Sequence, residues 1–187
     1  MRIVPSRIPE VVRVEPKVFG DPRGFFFELH SEQRFAEAGL VGLDGKPLRF
    51  VQDNVSRSSR GVLRGLHFQK PATQTKLVSV LEGVIFDVAV DLRAGSPTYG
   101  QWISEVLGAE DHHQLLVPRG FAHGFQVVSD TAIVHYKVDD FYAPAHEHGV
   151  AWDDPDLGIP WPVAEPTLSP KDRVYPRVRD LAPELRF

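Results

Sequence analysis

Residues 61–69, GVLRGLHFQ, set two bases among strand-forming apolar side chains. Leu63, Leu66 and Phe68 read as core material, yet Arg64 and His67 sit between them and no acid in the run neutralises either. Side chains alternate across a regular strand, so His67 falls in phase with Leu63 and Gly65 and points inward, while Arg64 falls in the opposite phase. For both to line one site the strand must be irregular near Gly65, where a β-bulge is natural. A lone inward histidine is more often a satisfied core residue than a catalyst, so its neighbours decide.

Outward from this stretch the period of two recurs, broken by Gly, Pro and Asp turns. In VIFDVAVDL, residues 84–92, Val84, Phe86, Val88 and Val90 share one face, and Asp87 and Asp91 share the other with Ile85 and Ala89. Further strands are expected over residues 11–19, 24–30, 50–56, 76–80, 101–107, 114–117, 124–128 and 132–138. Short strands spaced roughly 8 to 12 residues apart indicate an all-β sandwich or barrel. One helix is expected in SEQRFAEAGL, residues 31–40, with Ser31 as N-cap and Gly39 as the C-terminal stop. After Ala143 the pattern decays into Pro-rich irregular chain that ends in a short helical turn.

Size and composition narrow the function classes. A chain of 187 residues suits one domain, 1–187, with a core large enough to need no staples. Its net charge of −4 offers no basic field for a nucleic-acid backbone, although the preponderance of Arg over Lys suits forked contacts to single phosphates. The absence of cysteine excludes disulfides, thiolate metal sites and a Cys nucleophile, and fits a cytoplasmic setting. No run approaches the ~20 apolar residues of a membrane span, and Pro5 and Pro9 interrupt the place where a signal peptide would be apolar.

Several polar residues point into the expected barrel. In AIVHYKVD the apolar phase is Ala132, Val134, Tyr136 and Val138, which turns the Tyr136 hydroxyl inward and His135 and Lys137 outward. Taken alone, Tyr136 reads as a core tyrosine with a bonded tip. Gln52, Asn54 and Ser56 share one face, either an exposed sheet surface or a polar ladder inside a cavity. VPRGFAHGF, residues 117–125, joins GLHFQ to give a pattern that resembles the two halves of the cupin signature. In that signature a His-x-His pair and a carboxylate join a later histidine around a metal. Here the pair reads His67-x-Gln69, and PATQTK carries Lys76 where the acid would be expected, which makes a poor cage for a divalent ion.

As a set, DPRGFFFE, QDNVSRSSRGVLRGLHFQ, VPRGFAHGF, HYKVDDFYAPAHEHGVAWDDPDLGIPWP and LSPKD resemble the dTDP-4-dehydrorhamnose 3,5-epimerases over nearly the whole chain. The resemblance implies a cupin-type jelly-roll barrel with a few short helices, a dTDP-sugar substrate, and neither cofactor nor metal. It makes His67 the base, oriented by Asp172, Tyr136 the acid on the opposite face of the sugar, and Lys76 the cation beside the enolate. Arg64 and His123 would line the same pocket. Gln52 and Asn54 would meet the nucleotide, and Arg23, Phe26 and Glu28 would reach it from the second subunit of a homodimer. Tyr142, Glu147 and Lys171 match positions near this region and read equally as rim or structural residues. A mono-epimerase, a metal-dependent cupin enzyme and a non-catalytic sugar-nucleotide binder remain open alternatives.

Overall fold

The computed structural model describes residues 1–42 and 45–187. In chain order its elements are β1 (Arg2–Pro5), β2 (Val12–Glu15), β3 (Phe19–Asp21), β4 (Gly24–Phe26), α1 (Glu32–Glu37), β5 (Gln52–Ser59) and β6 (Leu63–Gln69). There follow β7 (Lys76–Glu82), β8 (Val84–Asp91), β9 (Trp102–Gly108), β10 (Gln114–Val117), β11 (Phe121–Val127), β12 (Thr131–Val138) and β13 (Glu147–Gly149). Two antiparallel sheets face each other, one ordered β1-β2-β10-β7-β12-β5 and the other β13-β6-β11-β8-β9. The result is a cupin jelly roll, with the β3–β4 hairpin as a separate two-stranded arm.

Between the sheets, Val78, Val80, Ile85, Ala89, Leu115, Phe121, Phe125, Val127 and Val134 form one continuous buried cluster. Each fully buried aliphatic or aromatic side chain contributes about 1.5 to 3 kcal/mol, so this cluster dominates the stability of the barrel. The Asp-bearing face of β8 is therefore the inner one. The apolar face of Phe86, Val88 and Val90 points away from the barrel, against Leu157, Val178 and Leu181 of the C-terminal segment. A similar cover lies over the other sheet, where Phe35 of α1 packs on Val12, Val14, Leu77 and Leu116. His135 lies on the outer face of β12 as expected, but buried, and it meets Asp53 at 2.7 Å.

Several boundaries differ from those expected. Pro16 divides residues 11–19 into β2 and the start of β3, and the strand expected over 24–30 stops at Phe26. The short β1 and β13 have too few residues to show a period, yet each pairs with a neighbour, β1 with β2 and β13 with β6. The helix occupies its expected place, with the Ser31 hydroxyl accepting from Arg34 N and Gly39 leaving it at φ +73°. Single 3₁₀ turns follow at Lys171–Arg173, Val178–Asp180 and Pro183–Leu185. Among the described residues no helix is long and apolar enough to cross a membrane.

Candidate active site

The irregularity expected at Gly65 is present and orients the site. His67 pairs with His123 and Arg64 with Phe125, so two residues of β6, Gly65 and Leu66, lie opposite the single Gly124 of β11. That extra residue brings Arg64 onto the face of His67 despite its opposite phase. Gly65 adopts φ +135°, and a Cβ there would lie 2.6 Å from Gly124 Cα, so only glycine allows the close approach.

The bulged strand opens onto a cavity of about 510 Å³ between the two sheets. His67 and Arg64 approach it from the five-stranded wall, and Tyr136, Lys76, Gln52 and Asn54 from the six-stranded wall. Among the expected residues, His123, Tyr142, Glu147, Lys171 and Asp172 line it too. The Gln52–Asn54–Ser56 ladder thus faces the cavity, with Gln52 Nε2 donating to Asn54 Oδ1 at 2.8 Å. Arg64 donates from Nε and Nη2 to Ser58 Oγ at 3.1 and 3.0 Å.

Arg23, Phe26 and Glu28 lie elsewhere in this chain. Arg23 is exposed on the β3–β4 arm and pairs with Asp21, Phe26 is 65% exposed, and Glu28 pairs with Arg34.

Asp172 sits on the 3₁₀ turn Lys171–Arg173, and its Oδ1 accepts from His67 Nε2 at 2.5 Å. Ser169 Oγ donates to the other carboxylate oxygen at 2.8 Å. Desolvation opposes ionisation of Asp172, but the His67 and Ser169 contacts prevail and hold the carboxyl below its usual range. A charged Asp172 accepting at Nε2 leaves the lone pair of a neutral His67 on Nδ1.

A second pair lies deeper, where His123 Nε2 meets both oxygens of Asp87 at 2.8 and 3.0 Å. Asp87 is fully buried, and desolvation pushes its carboxyl upward against the pull of His123 and Lys76. Neither its partner nor its orientation was legible in the sequence. The available signal was the coincidence of Asp87 with the inner phase of Ile85 and Ala89.

Lys76 is 9% exposed, and among the described residues its ammonium forms no hydrogen bond or ion pair. Burial pushes it down to about 8, partly offset by Asp139, Glu147 and Asp87. Burial likewise raises the Tyr136 phenol, with the Arg64 guanidinium pulling the other way. At the cavity mouth the Tyr142 hydroxyl donates to Glu147 Oε2 at 2.8 Å, and Lys171 pairs with Glu147 Oε1. Tyr175 was missed in the sequence; its ring stands edge-on to His67 at 5.7 Å and packs against Gly149, which has no room for a Cβ. Among the described residues no group of three or more His, Asp and Glu side chains is arranged to hold a metal ion.

A barrel with a carboxylate-oriented imidazole on one wall, and a phenol with an unpaired buried ammonium on the other, has known counterparts. Residues 5–180 match the family model for dTDP-4-dehydrorhamnose 3,5-epimerase. The chain belongs to the dTDP-4-dehydrorhamnose 3,5-epimerase family. It is an isomerase of the epimerase type. A dTDP-4-dehydrorhamnose 3,5-epimerase of Pseudomonas aeruginosa is 54% identical over 92% of this chain and 93% of its own length. A dTDP-4-dehydrorhamnose 3-epimerase of Streptomyces niveus is 44% identical over 92% of this chain and 82% of its own. The crystal structure of a dTDP-6-deoxy-D-glucose-3,5-epimerase from Legionella pneumophila, in complex with dTDP-4-keto-L-rhamnose, superposes with a TM-score of 0.92. It is 48% identical and aligns over 99% of this chain and 96% of that one.

Proposed function

We propose that this epimerase inverts C3 and C5 of dTDP-4-dehydro-6-deoxy-D-glucose to give dTDP-4-dehydro-L-rhamnose, the step that supplies dTDP-L-rhamnose synthesis. The observation that supports the reading is that His67 on β6 and Tyr136 on β12 line opposite walls of one cavity, with Lys76 on the neighbouring strand β7. A ketone at C4 acidifies the hydrogens on both neighbouring carbons, because either carbanion delocalises onto the same oxygen. His67 takes a proton through its free nitrogen, and the electron pair moves onto the C4 oxygen. The Lys76 ammonium, poorly solvated and without a protein partner, binds that enolate oxygen more strongly than it binds the neutral ketone. Tyr136 then delivers a proton to the opposite face and the centre inverts. Each inversion leaves His67 one proton up and Tyr136 one down, and exchange with water through the open mouth resets both.

Gln52 and Asn54 would face the nucleotide and Arg64 the sugar or a phosphate, with His123 at the floor of the pocket. The solvent-facing arm carries Arg23 and Phe26, and Glu28 follows it; in a homodimer these would complete the nucleotide subsite of a second copy, with Phe26 against thymine. One cupin domain spanning the chain and a cytoplasmic setting fit the cysteine-free sequence. No cofactor takes part in this chemistry.

The test is NMR of the substrate in heavy water with this protein alone, before and after a chelator. Deuterium entering at both C3 and C5, unaffected by chelation, is the expected result. Exchange at one carbon would favour a mono-epimerase, a reading supported by the 44% identity to the Streptomyces niveus 3-epimerase. Loss on chelation would favour a metal enzyme, and binding without exchange a sugar-nucleotide binder.

A further inference from the structure

Beyond β12 the chain leaves the six-stranded sheet and crosses to the five-stranded one as β13, so residues 139–146 bridge the two walls at the cavity mouth. Such a bridge has no strand ladder to satisfy its peptide groups, and each must find a partner elsewhere. Asp139 N finds Thr75 O, Phe141 N finds Asp140 Oδ1 and His146 O accepts from Lys70 N, and between them the partners are glutamine side chains. Gln74 Nε2 donates to Asp140 O at 2.9 Å, and Gln52 Oε1 accepts from Tyr142 N at 3.1 Å. Gln69 holds two points at once, donating to Phe141 O at 3.2 Å and accepting from Ala143 N at 2.9 Å. It also donates to Ala72 O at 2.8 Å, which ties the bridge to the loop between β6 and β7. With 4% exposure, both donors used and its oxygen engaged, this amide has one orientation.

The bridge carries Tyr142, whose phenol reaches Glu147 and through it Lys171, and all three line the entrance. Gln69 lies two residues beyond His67 on the same strand, opposite Glu147 as His67 is opposite Gly149. Base and rim are therefore referenced to one strand. C3 and C5 flank a single carbonyl, so a small rotation of the sugar exchanges the carbon presented to His67, and geometry at this scale governs rate steeply.

We propose that Gln69 is a positioning residue: by pinning residues 141–143 it fixes Tyr142 at the entrance and so sets the partition of proton abstraction between C3 and C5. This rests on the epimerase reading above. Tyr142 supplies the surface against which the sugar settles, and Gln69, which does not touch the reacting atoms, acts through it.

The experiment follows deuterium entry at C3 and C5 separately for the wild type, Gln69→Ala, Tyr142→Phe and the double variant, together with kcat, KM and thermal melting. Both single variants should change the ratio of the two initial rates in the same direction, Tyr142→Phe by about fivefold, the worth of one hydrogen bond, and Gln69→Ala, which loses three, by at least as much, and both should raise KM more than they lower kcat. The double variant should move the ratio no further than Gln69→Ala does. A folded Gln69→Ala with the wild-type ratio overturns the proposal, as does an equal fall in both rates that tracks the folded fraction. Tyr142 is 51% exposed, so Tyr142→Phe keeps its fold, and a wild-type ratio in that variant overturns the proposal even if Gln69→Ala does not fold. Absence of exchange by the wild type overturns the epimerase reading and this proposal with it.

Discussion

Two histidine–carboxylate pairs face the inside of one barrel, and their carboxylates shift in opposite directions. Asp172 holds His67 at the cavity wall, where contacts from His67 and Ser169 outweigh desolvation and keep the acid ionised. Asp87 holds His123 inside the barrel, where full burial prevails over His123 and Lys76 and drives the acid toward its neutral form. The pairing is the same and the depth differs. A base needs a permanently charged orienting partner and access to substrate, and only the shallow pair has both. The deep pair is suited to anchoring the floor beneath Lys76.

The comparison can be broken most sharply at the proposed base, His67. His67→Ala should reduce exchange at both carbons by about 10³-fold or more while leaving the melting temperature near wild type, as measured by NMR and thermal denaturation. Lys76→Met should lower kcat by about 10²- to 10³-fold. The same variant should melt higher at pH 7. A cation pushed down to about 8 loses stability as pH falls through that value, so removing it relieves up to about 3 kcal/mol at neutrality, and the gap should close above about pH 10.5. For the wild type, kcat/KM should fall as pH rises through about 8, where the ammonium is lost.

Asparagine substitution then separates the two acids. Asp172→Asn should cost about 10²-fold in kcat, because the neutral amide no longer enforces the tautomer of His67 or stabilises its cation. Asp87→Asn should cost less than about tenfold at pH 7, since Asp87 contacts His123 and not His67. It should also move the alkaline limb to lower pH, because the remaining negative charge on Asp87 favours the Lys76 ammonium. Equal losses in the two variants would remove the distinction between the pairs.

Much of the barrel could be read from alternation alone, since β5 to β9, β11 and β12 have seven or eight residues each, long enough for a period of two to show. The bulge at Gly65 was legible for the same reason, because Arg64 and His67 could share a face only if one residue were inserted between their phases. Asp172, by contrast, was reachable only through family resemblance. It stands on a single 3₁₀ turn in Pro-rich chain, where no period indicates direction. The C-terminal cover over Phe86, Val88 and Val90 was hidden for that reason too, and without it the apolar face of β8 looks like the inner one. The Asp87–His123 contact and Tyr175 depend on pairing between distant segments, which local pattern does not encode.

The docking of the Lys171–Arg173 turn also has a temporal side. A ribosome adds His67 to the chain 105 positions before Asp172, whose carboxylate it pairs with. Just before Asp172 is added, every strand of both sheets has been synthesised, while the C-terminal cover over β8 and the pairing of His67 are still incomplete. Competence would arrive as the last event of maturation. In a translation-coupled assay, chains arrested before Asp172 should show no turnover, and turnover should appear only once the full chain is released.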